Sequence, residues 1–276
     1  MNCHKHKKVL FVFAWFFITF WCEAEEQHTA KEASMNHPVI TVVFDNNPYK
    51  KGLQGGWGFS CLIEGMEKTV LFDTGADGHI LLDNMQRQGI APETIDIIIV
   101  LSHAHLDHIG GVYDLLQKNS KLTLYVPASF PESFKDQVKR YGAPAIEVKK
   151  PMEILKGVFS TGEMDGWIEE QSLIIRTPKG MVIVTGCAHP GIVNIVKRAK
   201  EILDDEVLLV MGGFHLKSKS KEEIKMIISE IQKLGVRYVG PCHCSGDKAR
   251  DLFQEAYGEH YIPVGVGKRI DIQELK

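Results

Sequence analysis

The sequence predicts an α/β protein of two sheets, with helices covering both outer faces. Strand hairpins alternate with strand–helix units from residue 39 onward, and apolar runs long enough for buried strands recur between amphipathic helical segments. A third observation is chemical. Four of the apolar runs end in short loops that carry histidine, and in α/β sheets sites form where strand ends converge.

Read in order, residues 39–45 are a strand and 46–57 a glycine-rich loop. Residues 58–64 and 68–72 make a hairpin around Gly65, and 80–88 a helix. The apolar run 95–101 is a buried strand, and Gly110-Gly111 the tight start of a helix over 112–118. A strand at 122–126 precedes a helix over 132–141 that starts soon after Pro131. Further strands are expected at 145–148, 157–161, 172–176 and 181–185. The alternation resumes after Pro190 with a helix over 192–203 and a strand at 207–211. Residues 221–234 form an amphipathic helix with Ile224, Ile227, Ile228 and Ile231 on one face. A strand ends at 238–241, and 249–257 is the last helix. The loops 46–57 and 141–166 are the segments expected to face a substrate.

The chain has 276 residues, 44% hydrophobic and 24% charged, enough for a sizeable core in one domain. A formal net charge of -3 without a basic stripe gives no footprint for nucleic acid. The N-terminus differs. His4 to Lys8 are basic, residues 9–21 are apolar, and Cys22-Glu23-Ala24 precedes two acids. This is the pattern of a secretory signal peptide over 1–24, with 25–38 as a leader remnant and 39–276 as the folded domain. The protein is expected to be exported, periplasmic or secreted. It would touch a membrane only if residues 9–21 stay uncleaved as an anchor, and that block is short for a spanning helix. Of six cysteines, Cys61, Cys187, Cys242 and Cys244 read as small buried thiols, with Cys187 also open to a ligand role.

The segment 102–111 carries the most information. His103, His105, Asp107 and His108 place three imidazoles and a carboxylate within six residues, directly behind an apolar strand. Alternation in extended backbone puts His103, His105 and Asp107 on one face, with His108 turned toward a second metal. Buried without a metal, such groups would cost about 1–3 kcal/mol each. Asp73, at the end of the hairpin strand, is placed to orient a metal-binding histidine through its second ring nitrogen. His189, His215 and His243 repeat the strand-end pattern. His189 and His243 read as ligands, and His215 as a ligand, a substrate hydrogen-bond donor or a proton carrier.

These motifs resemble the metallo-β-lactamase superfamily. Asp73-Thr74-Gly75, the His103-x-His105-x-Asp107-His108 signature and the later histidines occur in its order. The segments 58–60, 185–191, 212–216 and 242–246 are similar to the branch named after a dihydropterin–ribofuranosylaminobenzene phosphate synthase. The resemblance implies an αββα four-layer sandwich and a dinuclear site, usually zinc. His103, His105 and His189 would hold one metal, and Asp107, His108 and His243 the other. Cys187 stands where many members carry a bridging Asp, and a histidine expected near 169–172 is missing.

The function expected is that of a metal-dependent hydrolase acting on a small-molecule ester, phosphoester or related substrate. Two divalent cations, zinc first and iron or manganese also compatible, would generate hydroxide at neutral pH. Asp107 would anchor the second metal and orient the nucleophile, and His215 would protonate a leaving group. Lys217 and Lys219 are the cations nearest by sequence for an anionic substrate. The alternatives are synthase-type transfer on a pterin diphosphate, disfavoured by export, and a non-catalytic metal-binding protein on the same scaffold.

Overall fold

A computed structural model describes residues 37–93 and 97–276. The expected signal peptide and all but the last two residues of the leader remnant lie outside the described residues, as do Ile95 and Asp96 at the start of the expected 95–101 strand. The chain runs β1 (Val39–Asp45), β2 (Phe59–Glu64), β3 (Thr69–Phe72), α1 (Gly78–Arg87), β4 (Ile97–Val100), α2 (Leu106–Ile109) and α3 (Val112–Lys118). It continues through β5 (Thr123–Pro127), α4 (Glu132–Arg140), β6 (Ala145–Val148), β7 (Met152–Leu155), β8 (Val158–Ser160), β9 (Leu173–Thr177) and β10 (Gly180–Thr185). Then come α5 (Ile192–Leu203), β11 (Val207–Gly213), α6 (Lys221–Lys233), β12 (Tyr238–Cys242), α7 (Asp247–Tyr257) and β13 (Arg269–Asp271).

The strands form two sheets, ordered β13-β1-β2-β3-β4-β5-β6 and β12-β11-β10-β9-β8-β7. Alternation along each strand supplies three apolar layers. Between the sheets, Val42, Phe59, Cys61 and Phe72 meet Ile175, Val184, Met211 and Cys242. The opposite face of the first sheet packs Leu62, Leu71 and Ile99 against Leu81, Met85 and Leu115 of α1 and α3. The opposite face of the second sheet packs Ile174, Ile183 and Val210 against Ile195, Ile224 and Phe253 of α5, α6 and α7. The result is the four-layer αββα sandwich. Helix α6 starts where a Ser220–Glu223 capping box satisfies its first backbone donors.

Two edge strands, β7 and β13, escape a reading based on apolar runs because they are short and half exposed. The 141–166 segment, expected to hold a substrate-facing loop, carries three short strands, two of them at the expected 145–148 and 157–161. β6, β7 and β8 occupy it, and β7 pairs antiparallel with β8.

Strand direction decides where chemistry collects. β3 and β4 run parallel, as do β10, β11 and β12. Their C-terminal ends therefore open toward common ground, carrying Asp73, His103, His189, His215 and His243 on the loops that follow.

Candidate metal centre

Two donor clusters form at these strand ends. One ring nitrogen each of His103, His105 and His189 lie within 4.8 Å of one another, and so do donor atoms of Asp107, His108, Cys187 and His243. All six sequence-predicted ligands are thus brought together, with Cys187 added. His103 and His105 alternate on one face as expected. Asp107 does not join them, because His105 caps α2 and the chain is already helical at Asp107. The turn swings Asp107 toward His243, with Oδ2 3.3 Å from Nε2, and leaves it 3.7 Å from His108 Nε2. Gly110 makes the sharp turn possible, since a Cβ there would lie 2.2 Å from the Ala76 carbonyl oxygen.

The imidazoles are oriented from behind. His108 Nδ1 donates to Asp73 Oδ2 at 2.6 Å, the orienting role expected for Asp73. Asp73 also accepts the Ser102 backbone N–H and hydroxyl, each at 2.7 Å. The Ser102 oxygen stands 2.9 Å from His103 Nδ1, leaving His103 Nε2 facing His105 Nδ1 at 3.1 Å. His189 Nδ1 donates to Glu170 Oε2 at 2.8 Å, and His243 Nδ1 to Asn46 Oδ1 at 2.9 Å. Glu170 also accepts the backbone N–H groups of Cys187, Ala188 and His189, each at 2.9 Å. Sequence reasoning passed over Glu170, treating its neighbourhood only as the place of a missing histidine. It also missed Asn46, and nothing local marks either residue.

Each orienting bond leaves a lone pair aimed into the site. The Nε2 atoms of His189 and His243 are buried without a hydrogen-bond partner. Tetrahedral zinc with Zn–N of about 2.0–2.1 Å separates its nitrogen ligands by roughly 3.3 Å. The 3.1 Å between His103 and His105, and the 3.2 Å between His108 Nε2 and Cys187 Sγ, suit such edges. The residues present therefore fit divalent cations.

Electrostatics agree. Burial draws His103 and His108 down to about 3, so both are neutral and ligand-competent at neutral pH. Burial would raise Asp107, but His243 and His108 beside it hold the carboxyl well below its usual range. Burial pushes Asp73 up to about 8 despite its hydrogen bonds. A buried acid accepting three donors is short of positive charge, which a cation on His108 would supply. Burial opposes the proton on His243, yet the Asp107 carboxylate 3.3 Å from its Nε2 outweighs it and raises the pKa. His215 is raised chiefly by its hydrogen bond to Cys244.

Two expectations follow. Asp73→Asn, which cannot take the His108 proton bond as a charged acceptor, should weaken metal affinity by about 10–100-fold, read by competition with a chromophoric chelator. Metal affinity should also rise with pH. His243 must lose a proton that its raised pKa favours, and the Cys187 thiol, raised by its hydrogen bond with Cys244 and by burial, must lose another, so protons compete at about tenfold or more per pH unit. His103 and His108, already neutral, add nothing to that slope. Isothermal titration from pH 6 to 8 reads it, and a flat profile would contradict it.

Around the clusters the surface is apolar and exposed. Trp57 lies with its ring 5.0 Å from His243, and Trp167 5.1 Å from His189, while Leu106, which follows His105 in the chain, is exposed. Lys217 Nζ sits over the Trp57 ring at 5.0 Å. Lys219 instead pairs with Glu223 on α6 and is turned to that helix.

Comparison with known proteins agrees with this architecture. Residues 56–192 match the family model described as the metallo-beta-lactamase superfamily. The chain is 31% identical to the 7,8-dihydropterin-6-methyl-4-(beta-D-ribofuranosyl)-aminobenzene-5'-phosphate synthase of Methanocaldococcus jannaschii, over 85% of this chain and 96% of the relative. Among solved structures it is similar to Tm1679, described as a metal-dependent hydrolase of the beta-lactamase superfamily. That match has a TM-score of 0.73 and 28% identity, over 85% of this chain and 99% of that one. YhfI from Bacillus subtilis shares the fold, with a TM-score of 0.64 and 15% identity over 85% of this chain and 99% of that one.

Proposed function

Because the chain belongs to the metallo-beta-lactamase superfamily, we propose that it is a metal-dependent hydrolase of a small, anionic ester or phosphoester. The observation that carries the reading is the pair of adjacent donor clusters, with the buried Nε2 of His189 left without a hydrogen-bond partner. His103, His105 and His189 would hold one divalent cation, and Asp107, His108, His243 and Cys187 the other, zinc being the first choice for such donors. When bound, the cations supply Lewis acidity that lowers the pKa of water and offsets charge on the attacked group.

The chain's own residues do the rest. Asp107 is the carboxylate that reaches both His108 and His243, so it fixes the second cluster and orients the attacking water. His215 keeps its proton more readily than an ordinary histidine, which suits it to protonate a departing oxygen. Trp57, Trp167 and Leu106 form an apolar rim, and Lys217 brings the cation that an anionic substrate needs.

A second reading has its own support. The 31% identity to the archaeal synthase favours transfer chemistry on a pterin diphosphate over the same donors. Export of the chain through residues 1–24 would separate it from such cytosolic substrates, and N-terminal sequencing of the mature protein tests that.

The deciding experiment measures metal content of chain purified without added metal, beside His103→Ala, and then assays esters, phosphodiesters and the pterin condensation in parallel. About two cations per chain, reduced in the variant, with hydrolysis of a panel substrate supports the proposal. Condensation without hydrolysis replaces it with the synthase reading. No metal, even after reconstitution, overturns both.

A further inference from the structure

Four cysteines lie among the described residues, all free and buried. They divide in two. Cys61 and Cys242 belong to the apolar core between the sheets, where a small thiol packs like any apolar side chain. Cys187 and Cys244 belong to none of the three apolar clusters. Packing therefore accounts for the first pair and not for the second.

Cys187, on the loop after β10, and Cys244, in the turn after β12, converge with His215 from the loop after β11. Both Sγ atoms and a ring nitrogen of His215 lie within 4.8 Å of one another. The backbone is held in the left-handed region at each corner: Ala188 beside Cys187 at φ +57°, His215 at +52° and His243 beside Cys244 at +47°. Such conformations cost of order 1–3 kcal/mol each and persist at sites where the surrounding structure demands them. Gly213 belongs to the same arrangement, because a Cβ there would lie 2.7 Å from Cys244 Sγ.

We propose that Cys187, Cys244 and His215 form a third cation position, one that takes a thiophilic divalent ion such as zinc or cadmium. Two thiolates and an imidazole are a soft set of three, which leaves a fourth place open to water or substrate; with the cation bound, His215 would ligate in place of protonating a departing oxygen. The thiols would release their protons to solvent as the cation binds. Cys187 also belongs to the cluster of Asp107, His108 and His243, so its thiolate would bridge the second and third cations. In that bridge the position rests on the two-cluster reading of the site.

The test uses the whole mature chain, stripped with a chelator and titrated with cadmium. Bound cadmium is counted by elemental analysis, and thiolate ligation is followed by the ultraviolet thiolate-to-cadmium charge-transfer band. Relative to the unsubstituted chain, Cys244→Ser should bind one cadmium fewer and lose about two thirds of the band, since two of the three sulfur–cadmium bonds go with that ion. His215→Gln, at an exposed side chain, should also bind one fewer and serves if Cys244→Ser does not fold. Cys61→Ser, in the inter-sheet core, should leave the band unchanged. His103→Ala should lose a cadmium and keep the band. Full stoichiometry and an undiminished band in both Cys244→Ser and His215→Gln would overturn the third position. If His103→Ala still lost its cadmium, the two-cluster reading would stand; no uptake by the unsubstituted chain would overturn both.

Discussion

Asp107→Ala is expected to lower hydrolysis by about a thousandfold, the equivalent of about 4 kcal/mol of transition-state stabilisation. Among the described residues Asp107 is the only carboxylate in the two donor clusters, and its Oδ2 lies within 3.7 Å of both His108 and His243. Its removal leaves the second cluster with two imidazoles and a thiol, and takes away the group proposed to orient the attacking water. The side chain belongs to none of the apolar clusters, so alanine opens no core cavity. The fold should survive, with unchanged circular dichroism and a cation lost on elemental analysis. kcat and metal content are measured together. Full activity in a correctly folded variant would remove the metal-hydrolase mechanism.

Glu170→Ala is expected to act on stability and on metal binding at once. The carboxylate is buried, and its two oxygens accept three backbone N–H groups and the His189 ring. Alanine leaves three donors unsatisfied in the loop that carries Cys187 and His189, at a cost of about 3–5 kcal/mol. In a domain of this size that lowers Tm by roughly 10 °C. It also frees the His189 ring, which should weaken metal affinity by a further 10–100-fold, about the usual cost of losing an orienting partner. Glu170→Gln should rescue only part, because its amide nitrogen would face the His189 donors with a donor.

The pH dependence of stability follows the same residue. Burial alone would raise Glu170, but its hydrogen bonds with His189 and the charge of His103 more than offset it, holding the folded-state pKa well below the ordinary value of 4.5. A depressed carboxylate contributes stability that is present above its unfolded pKa and is lost as pH falls below it. Denaturant midpoints of metal-free protein should therefore fall below pH 4.5 in the parent chain and change less in Glu170→Ala. Parallel curves for the two would contradict the assignment.

Much of the architecture was legible before any coordinates. Apolar runs such as 97–101 and 181–185 mark buried strands, and the 3.6-residue spacing of Ile224, Ile228 and Ile231 marks a helix, because both periods are local properties of the chain. The donors at 103–108 were legible for the same reason, and so was Asp73 as an orienting carboxylate, since it ends a strand in a recognisable turn. Residues whose role depends on distant partners were not. Glu170 reaches a loop 17 to 19 residues away, and Asn46 reaches His243 across 197 residues.

Residue order was enough to set the α/β alternation, the strand ends as the place of chemistry, and the imidazole-rich donor set. Strand alternation alone would put Asp107 with His103 and His105; the helix that starts at Leu106 turns it to His108 and His243, the grouping the family resemblance implied. Which thiols are core and which face the site was settled only by packing, through the apolar clusters that include Cys61 and Cys242 and leave out Cys187 and Cys244. Periodicity and residue type are written along the chain. The direction in which a side chain finally points is set by parallel strands brought side by side from distant parts of it.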